Sequence, residues 1–270
     1  MKTLSILSLV LMMALSSCSS QTKSSSAGYL DSGQRNTQAA IPFIARGKSH
    51  MKLKDYHAAI NDFTTAISYD NLSREAYYFR AISFLNLGRH QRSIQDISWI
   101  ISVLEQIKSK RKTIAGFYFF RGNVHLRIRQ YNLAITDFTH VIRLIPGNPM
   151  AYNNRSDTYM KIGDFQKALK DANKTIQLAP KAPIGYVTRG EVYNMLNKYK
   201  KAIKDFKRAI KLNSKTAIAY KRRAATYAYL GRCRAIKDYK KYLKLGKGKI
   251  SPAEKKYIKK QIKAIKANCK

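Results

Sequence analysis

The hydrophobic positions of this chain recur at a fixed interval over most of its length. In residues 151–180, apolar residues at helical spacing form two short amphipathic segments on either side of a turn at Gly163. A shift of 34 residues in either direction places the aromatic, small and aliphatic positions of this segment on similar residues. A repeat of this period, with helical spacing in both halves, predicts a series of similar helix pairs.

Six copies of this unit align, and three of their positions agree throughout. The copies begin at Ala40, Arg74, Ala115, Pro149, Pro183 and Ala217. The fourth position is aromatic in every copy: Phe43, Tyr77, Tyr118, Tyr152, Tyr186 and Tyr220. Small residues occupy the eighth position (Gly47, Ala81, Gly122, Ser156, Gly190, Ala224) and the twentieth (Ala59, Ser93, Ala134, Ala168, Ala202, Ala235). Small residues let two helices approach closely and aromatic rings fill the space between them, so each copy is predicted to be a packed helix pair.

These positions resemble the tetratricopeptide-repeat (TPR) family over about residues 40–245. The resemblance implies an all-α fold, a right-handed α-α superhelical solenoid of six TPR helix pairs with a C-terminal capping helix. The predicted repeats are residues 40–73, 74–107, 115–148, 149–182, 183–216 and 217–249. Two departures stand out. Residues 108–114 are an insertion that either lengthens a helix or forms a basic loop, and the sixth copy lacks one residue where its second helix begins.

Residues 250–270 are predicted to form the capping helix. Ser251 is a suitable N-cap, Pro252 suits the first helical position, and Glu254 completes a capping signature. An apolar stripe follows at helical spacing: Ile258, Ile262, Ile265 and Cys269. Lysines cover the remaining surface: Lys255, Lys256, Lys259, Lys260 and Lys263. Both a solvated closing helix and a helix lying on a membrane surface fit this pattern.

Two charged positions recur in all six copies. Arginine occupies the seventh position: Arg46, Arg80, Arg121, Arg155, Arg189 and Arg223. Aspartate occupies a position near the twenty-third: Asp62, Asp96, Asp137, Asp171, Asp205 and Asp238. The chain has only 15 acidic residues, so six at one repeated position require an explanation. Since the two helices of a pair run antiparallel, we predict structural Arg–Asp pairs, either within a repeat or to the next one, which set register more than they add stability.

The N-terminal segment is predicted to be an export signal. Lys2 precedes an apolar segment at residues 4–15, which is too short to span a membrane. Residues 15–18 resemble the lipobox of bacterial lipoproteins, so residues 1–18 are assigned as a lipoprotein signal peptide and Cys18 as the lipidated residue. An ordinary secretory signal with an incidental cysteine is the alternative.

The resemblance to lipoproteins also implies a location. Ser19, which follows the cysteine, is a residue that permits export to the outer membrane in Gram-negative lipoproteins. Residues 19–39 are rich in serine and lack a helical period, so they are predicted to form a flexible tether. The expected location is therefore the bacterial cell envelope, with the protein lipid-anchored at the outer membrane and facing the periplasm.

The two remaining cysteines are placed where a disulfide can form. Cys233 lies at the turn before the second helix of the sixth copy, and the capping helix should return antiparallel to that helix. Its end therefore brings Cys269 back toward Cys233. In an oxidising compartment a disulfide is predicted there, and two free thiols are the alternative.

No motif for catalysis, metal binding or cofactor binding is found. The chain lacks HExxH, a phosphate-binding glycine loop, a GxSxG elbow and a CxxC pair. His50 and His125 fall at an aromatic packing position, so they are interpreted as core residues. The sequence therefore predicts a non-enzyme with no cofactor and no metal.

The TPR resemblance implies that the first helix of each pair lines a concave groove that binds peptides or partner helices. Transferring the lining positions of the family to this sequence predicts these groove residues: Tyr78, Ile82, Phe119, Asn123, Asn153, Asp157, Glu191 and Asn194. Aromatic and aliphatic anchors beside amides suit an extended or helical protein segment. The leading interpretation is a scaffold or adaptor lipoprotein in envelope assembly, similar to pilotins of type IV pilus secretins and to adaptors of peptidoglycan hydrolases.

The charge distribution supports a second interpretation. The formal net charge is +37, and residues 198–270 contain 26 of the 52 Lys and Arg residues but 3 of the 15 acids. A strongly basic end attracts anionic lipid or an envelope polyanion. An acidic protein partner and an ordinary solvated surface remain open. Nucleic acid is not an expected partner, because an exported, anchored protein rarely meets it.

Overall fold

The computed structural model describes residues 35–269, which form thirteen α-helices in that range. The predicted signal peptide, Cys18 and most of the predicted tether lie outside the described residues. The chain divides after Ile145 into two compact units, which are considered separately. Apart from one isolated bridge between Arg35 and Asp70, residues 35–269 contain no β-structure.

The first unit consists of three consecutive helix pairs. Its helices are α1 (Thr37–Lys52), α2 (Tyr56–Tyr69), α3 (Arg74–Asn86), α4 (His90–Gln106), α5 (Arg111–Arg127) and α6 (Tyr131–Leu144). Each odd-numbered helix packs on the next even-numbered one, and α2 and α4 also contact the first helix of the following pair. Neighbouring pairs therefore cover the apolar surface that a single pair leaves open.

The second unit repeats this arrangement and ends in a single helix. Its helices are α7 (Pro149–Lys161), α8 (Phe165–Leu178), α9 (Pro183–Met195), α10 (Tyr199–Leu212), α11 (Ala217–Tyr229), α12 (Arg234–Leu245) and α13 (Pro252–Ala267). The first helices of this unit also touch, because α9 contacts both α7 and α11. Consecutive helix pairs with a closing helix confirm the predicted all-α solenoid.

Two helices begin earlier than the repeat pattern indicated. Helix α1 begins at Thr37, where the Asn36 side chain accepts a hydrogen bond from the Ala39 amide at 3.0 Å. Helix α5 begins at Arg111, so the second half of the 108–114 insertion extends this helix by about one turn. Residues 107–110 form the connection from α4. The insertion is thus partly a helix extension and partly a short basic connection.

The turn inside each helix pair has one residue in the left-handed backbone region. This residue is the fifteenth of every repeat: Lys54, Gly88, Arg129, Gly163, Asn197 and Gly231. Glycine adopts that conformation without steric cost, and asparagine adopts it more readily than most residues. All six repeats therefore have the same turn, although three of them lack glycine at this position.

Helix α13 closes the second unit through its apolar stripe. Ile258 is fully buried, and Ile262 and Ile265 pack on a cluster that includes Tyr239 and Tyr242. This packing favours the closing-helix interpretation, because the apolar stripe is covered by the last repeat and is not available to enter a membrane.

Both ends of α13 are held in place, one by a disulfide and the other by polar contacts. Cys233 and Cys269 form a disulfide, with their Cα atoms 5.8 Å apart. At the start of the helix, Glu254 forms a salt bridge with Lys221 and accepts a hydrogen bond from the Tyr242 hydroxyl at 2.7 Å. Both ends of the closing helix are therefore tied to the sixth repeat.

Candidate functional site

The repeated arginines and aspartates form six pairs, each within its own repeat. In the second repeat, Arg80 donates to both carboxylate oxygens of Asp96, from Nη2 at 2.7 Å and from Nε at 3.0 Å. The other five pairs are Arg46–Asp62, Arg121–Asp137, Arg155–Asp171, Arg189–Asp205 and Arg223–Asp238. Every one of these aspartates is buried, and each pair joins the first helix of a repeat to its second.

An aromatic ring completes each pair. The guanidinium of every one of these arginines lies over the fourth-position ring of its repeat, at 5.2 Å in Arg80–Tyr77 and 5.7 Å in Arg189–Tyr186. The hydrogen bond from Arg189 to Asp205 raises the pKa of that arginine above its ordinary value. Positions four, seven and twenty-three therefore act together as a structural unit that joins the two helices of a repeat.

Two predicted groove residues of the first unit belong to its core. Tyr78 is only 1% exposed, with its ring 5.9 Å from that of Phe117 and perpendicular to it. Phe119 is 9% exposed and packs on Phe138 at 5.7 Å. The prediction that these rings line an open groove is wrong, because the fifth repeat position packs against the neighbouring helices. Burial also raises the pKa of the Tyr78 hydroxyl to about 12.

The other two predicted groove residues of this unit are partly accessible. Ile82 is half-buried on α3. Asn123 on α5 is also half-buried, and its amide donates a hydrogen bond to the Phe119 carbonyl at 2.7 Å. The prediction that Ile82 and Asn123 belong to a binding groove therefore stays a prediction.

In the second unit, the predicted groove residues come together on the first helices. The Thr188 hydroxyl donates to the Asn153 amide oxygen at 2.8 Å, and this bond joins α9 to α7. Asn194 donates to the Thr226 hydroxyl at 2.8 Å, which joins α9 to α11. Asn153 is buried, so the prediction that it lines an open groove is wrong.

Two carboxylates lie on the same face. Glu191 forms an ion pair with Arg222 of the next first helix. Burial raises the pKa of Glu191, and the charge of Asp157 raises it further, whereas Arg222 opposes both effects. Asp157 itself is half-buried on α7. The charge of Glu191 is therefore balanced by Arg222, whereas no salt bridge among residues 35–269 involves Asp157.

Exposed apolar residues at the second repeat position accompany these carboxylates. Met150 and Ile218 are exposed and Ile184 is half-buried, and they begin α7, α11 and α9 in the same register. Because α9 contacts both neighbours, equivalent positions lie side by side across the three helices. We call the surface formed by Met150, Asp157, Ile184, Glu191 and Ile218 the first-helix surface. In the sequence, this row could have been recognised from the apolar residues at the second position of the fourth, fifth and sixth repeats.

The predicted basic surface lies on the outer side of α13. All five of its lysines are exposed: Lys255, Lys256, Lys259, Lys260 and Lys263. The nearby Glu254 forms its salt bridge with Lys221 instead. Within residues 35–269, none of the five lysines has an ion-pair partner in the structure.

The described part of the chain shows no group of three or more His, Cys, Asp or Glu side chains that is arranged to hold a metal ion. His125 shares a hydrogen bond of 2.7 Å with Gln130 and lies 3.8 Å from Asp137, and His50 lies 3.6 Å from Asp62. Both histidines thus stand beside the structural Arg–Asp pairs. In the same range of residues, no helix has the length and apolar character needed to cross a membrane.

Stacked helix pairs that carry an exposed surface define a class of interaction scaffolds. Models of the tetratricopeptide repeat match residues 44–97, 149–182 and 183–215. The chain belongs to the tetratricopeptide-repeat family. Proteins of this fold serve in protein–protein interaction, and catalysis is not their general role. No curated protein sequence matches the chain significantly.

Several solved structures share the fold. A tetratricopeptide repeat protein from Parabacteroides merdae is 16% identical, with a TM-score of 0.66 over 85% of this chain and 93% of that one. The C-terminal part of a TPR repeat-containing protein from Cytophaga hutchinsonii is 20% identical, with a TM-score of 0.59 over 76% and 80%. YrrB, described as a TPR protein with an unusual peptide-binding site, is 16% identical, with a TM-score of 0.53 over 68% and 91%.

Proposed function

We propose that this protein is a lipid-anchored, non-enzymatic scaffold of the bacterial cell envelope that holds a protein partner on the first-helix surface during envelope assembly. The observation that carries this proposal is the row of apolar side chains at the start of α7, α9 and α11. Methionine and isoleucine exposed beside carboxylates give a surface that can bury a partner's side chains.

The chemistry of this surface indicates the kind of partner segment. Its apolar row suits the nonpolar side chains of a helix or an extended segment. Asp157 favours a cationic side chain next to that segment, whereas Glu191 is already paired with Arg222. The described peptide-binding site of YrrB, which has the same fold, supports a peptide segment as the ligand.

An envelope location is supported by the cysteines. Cys18 stands at the end of a lipoprotein-like signal, and Cys233 is bonded to Cys269. Structural disulfides persist in oxidising compartments such as the periplasm and are rare in the cytosol. Lipid on Cys18 and a serine-rich tether would hold the repeats near the membrane, at the outer membrane facing the periplasm.

The scaffold role is tested with substitutions on the first-helix surface. Met150→Asp with Ile218→Asp places charge in the apolar row, and should abolish the crosslink between this protein and its partner in cells. Ile162→Asp is the matched control, because Ile162 is 44% exposed and Met150 is 43% exposed, but Ile162 lies in the turn after α7. Crosslinked species that survive the double substitution, or that vanish equally in the control, would exclude this surface.

The anchor is tested separately. Cys18→Ala should move the mature protein from the membrane fraction to the soluble fraction and remove the lipid mass from its N-terminal peptide. The scaffold surface is unaffected by this change, so the two parts of the proposal fail independently. An unmodified N-terminus in the native protein would rule out the lipid anchor.

A second candidate function is binding to an anionic membrane surface or envelope polyanion through α13. The exposed lysines of that helix, which have no acidic partners in the described chain, favour it. Changing Lys255, Lys259 and Lys263 to Gln should weaken binding to phosphatidylglycerol vesicles on the order of 100-fold at low salt. Equal binding of wild type and variant would contradict this role.

A further inference from the structure

A basic cleft lies between the last two second helices of the second unit, away from the first-helix surface. Its volume is about 850 Å³, within the range of ligand sites in proteins. Helix α10 provides one wall, α12 the other, and α11 the floor. The lining residues are Lys207, Ile210, Tyr220, Arg223, Tyr227, Arg234, Lys237, Asp238, Lys240, Lys241 and Lys244.

The cations of this cleft are not neutralised within the described chain. Asp238 is its single lining carboxylate and is occupied by Arg223, which donates to both of its oxygens at 2.7 Å. No salt bridge among residues 35–269 involves Lys207 or any of the lysines that α12 contributes. The cleft therefore holds an excess of positive charge.

The positive charges of α12 are concentrated on one side. Lys237, Lys241 and Lys244 follow one another at spacings of four and three residues, and Arg234 precedes them by three. At 1.5 Å per residue, this row is about 15 Å long. Like charges at these spacings repel and destabilise a helix by a few tenths of a kcal/mol per pair. An anion in the cleft would relieve that repulsion.

We propose that this cleft binds an anion that carries several phosphate groups. Lysine acts on phosphate as a point charge, and the row on α12 with Lys207 opposite presents such charges from two sides. The described residues that line the cleft include no Asn, Gln, Ser or Thr to pair with a peptide backbone. A phosphate-rich ligand therefore fits this lining better than an acidic peptide does.

This inference goes beyond both candidate functions, because the cleft is a site separate from the lysines of α13. The phosphate groups can belong to a soluble phosphate compound or to the headgroup of a membrane lipid. Both sources present the same chemistry to Lys237, Lys241 and Lys244.

The test measures binding of inorganic tripolyphosphate to the mature protein by calorimetry. Changing Lys237, Lys241 and Lys244 together to Gln should lower the affinity at least about tenfold. The matched control changes Lys170, Lys181 and Lys200 to Gln, which removes the same charge from exposed positions of the unit that do not line the cleft. The control should change the affinity less than about threefold, since Coulomb attraction from outside the cleft is screened by salt. Equal melting temperatures without ligand establish that both variants fold.

A second readout locates the ligand. Tripolyphosphate should protect Lys241 and Lys244, but not Lys170, from acetylation detected by mass spectrometry. Phosphatidylglycerol vesicles then identify the source: weaker vesicle binding of the cleft variant supports a lipid headgroup, and unchanged vesicle binding supports a soluble phosphate. Equal loss of tripolyphosphate in both variants would overturn the cleft and leave the second candidate function standing. Absence of binding to tripolyphosphate and to vesicles would overturn both.

Discussion

The Cα of Gly190 faces the ring of Phe206 so closely that a β-carbon on residue 190 would lie 2.6 Å from the Cε1 atom of that ring. The same contact occurs between Gly47 and Phe63 and between Gly122 and Phe138. The phenylalanines are completely buried. The eighth and twenty-fourth positions of these three repeats are thus complementary in size.

Replacing this glycine should destabilise the second unit. Gly190→Ala places a methyl group inside the van der Waals radius of the Phe206 ring, and such overpacking typically costs about 1–3 kcal/mol. A urea titration followed by circular dichroism measures the change in the free energy of unfolding. Because the ring causes the clash, adding Phe206→Leu should cost less in the Gly190→Ala background than in the wild type. Additive effects of the two substitutions would contradict the contact.

Removing an arginine from a structural pair should have a cost that depends on its burial. The Arg155 side chain is 17% exposed and that of Arg46 is 61% exposed, while both partner aspartates are buried. Arg155→Ala leaves Asp171 buried without its partner and should cost about 3–5 kcal/mol. Arg46→Ala should cost clearly less, because the exposed Arg46 guanidinium is screened by solvent. Thermal unfolding of the two variants measures the loss of stability in each.

The aspartate provides the control for this prediction. Arg155→Met combined with Asp171→Leu removes both charges, so it should recover most of the stability lost in Arg155→Ala. A double variant as unstable as the single one would show that packing, and not the uncompensated carboxylate, causes the loss.

Tyr78 should behave as a core residue and not as a ligand contact. Tyr78→Ala removes a ring that contacts Phe79, Phe117 and Phe120, so it should destabilise the first unit by about 3–5 kcal/mol. Tyr78→Phe keeps the ring and should change stability by less than about 1 kcal/mol. Hydrogen exchange of α3 and α5 measures both effects. If Tyr78→Ala is as stable as wild type, Tyr78 is not a core residue, and the prediction that it lines the groove would be restored.

The contact of Glu254 with α11 and α12 should make the stability of the closing helix depend on pH. Hydrogen bonds from Lys221 and then from Tyr242 hold the pKa of Glu254 below its ordinary value of 4.5. A carboxylate with a lowered folded pKa stabilises the fold above its unfolded pKa and loses that contribution as the pH falls through the folded pKa. The melting temperature of wild type should therefore exceed that of Glu254→Gln near neutral pH, and the difference should shrink below about pH 4.5.

The Lys221 partner supplies the check on this result. Lys221→Met removes the main cause of the lowered pKa, so a further Glu254→Gln substitution should then have a smaller, less pH-dependent effect. If the difference in melting temperature between wild type and Glu254→Gln stays constant from neutral to acid pH, the charge of Glu254 does not contribute to stability.

The repeat register and the structural pairs were both accessible from the sequence. Positions such as Arg189 and Asp205 recur at a fixed offset, and antiparallel helices place them at the same height, where the structure joins them. The repeat could not distinguish pairing within a repeat from pairing to the next one. Whether an arginine pairs within its own repeat or with the next one depends on the distances between helices. Those distances cannot be read from the repeat pattern of the sequence.

The groove assignment shows where the repeat pattern is insufficient. Tyr78 and Asn153 occupy the fifth repeat position, which the family resemblance places on the binding face. In the structure this position is covered by the neighbouring first helix, and the exposed apolar residues stand at the second position, as in Met150. How deeply a position is covered depends on the size of side chains from other repeats, so it differs between copies of the same pattern.

The sequence by itself determined the helix pairs, their number and their register, because a period of 34 residues with helical spacing can bury its apolar face only by stacking one pair on the next. Only the tertiary structure decided which side chains remain available. The carboxylate of Asp238 is ion-paired with Arg223, whereas Lys241 lines an open cleft. The reason is that exposure and pairing arise between residues far apart in the chain, and their positions exist only once the helices have packed.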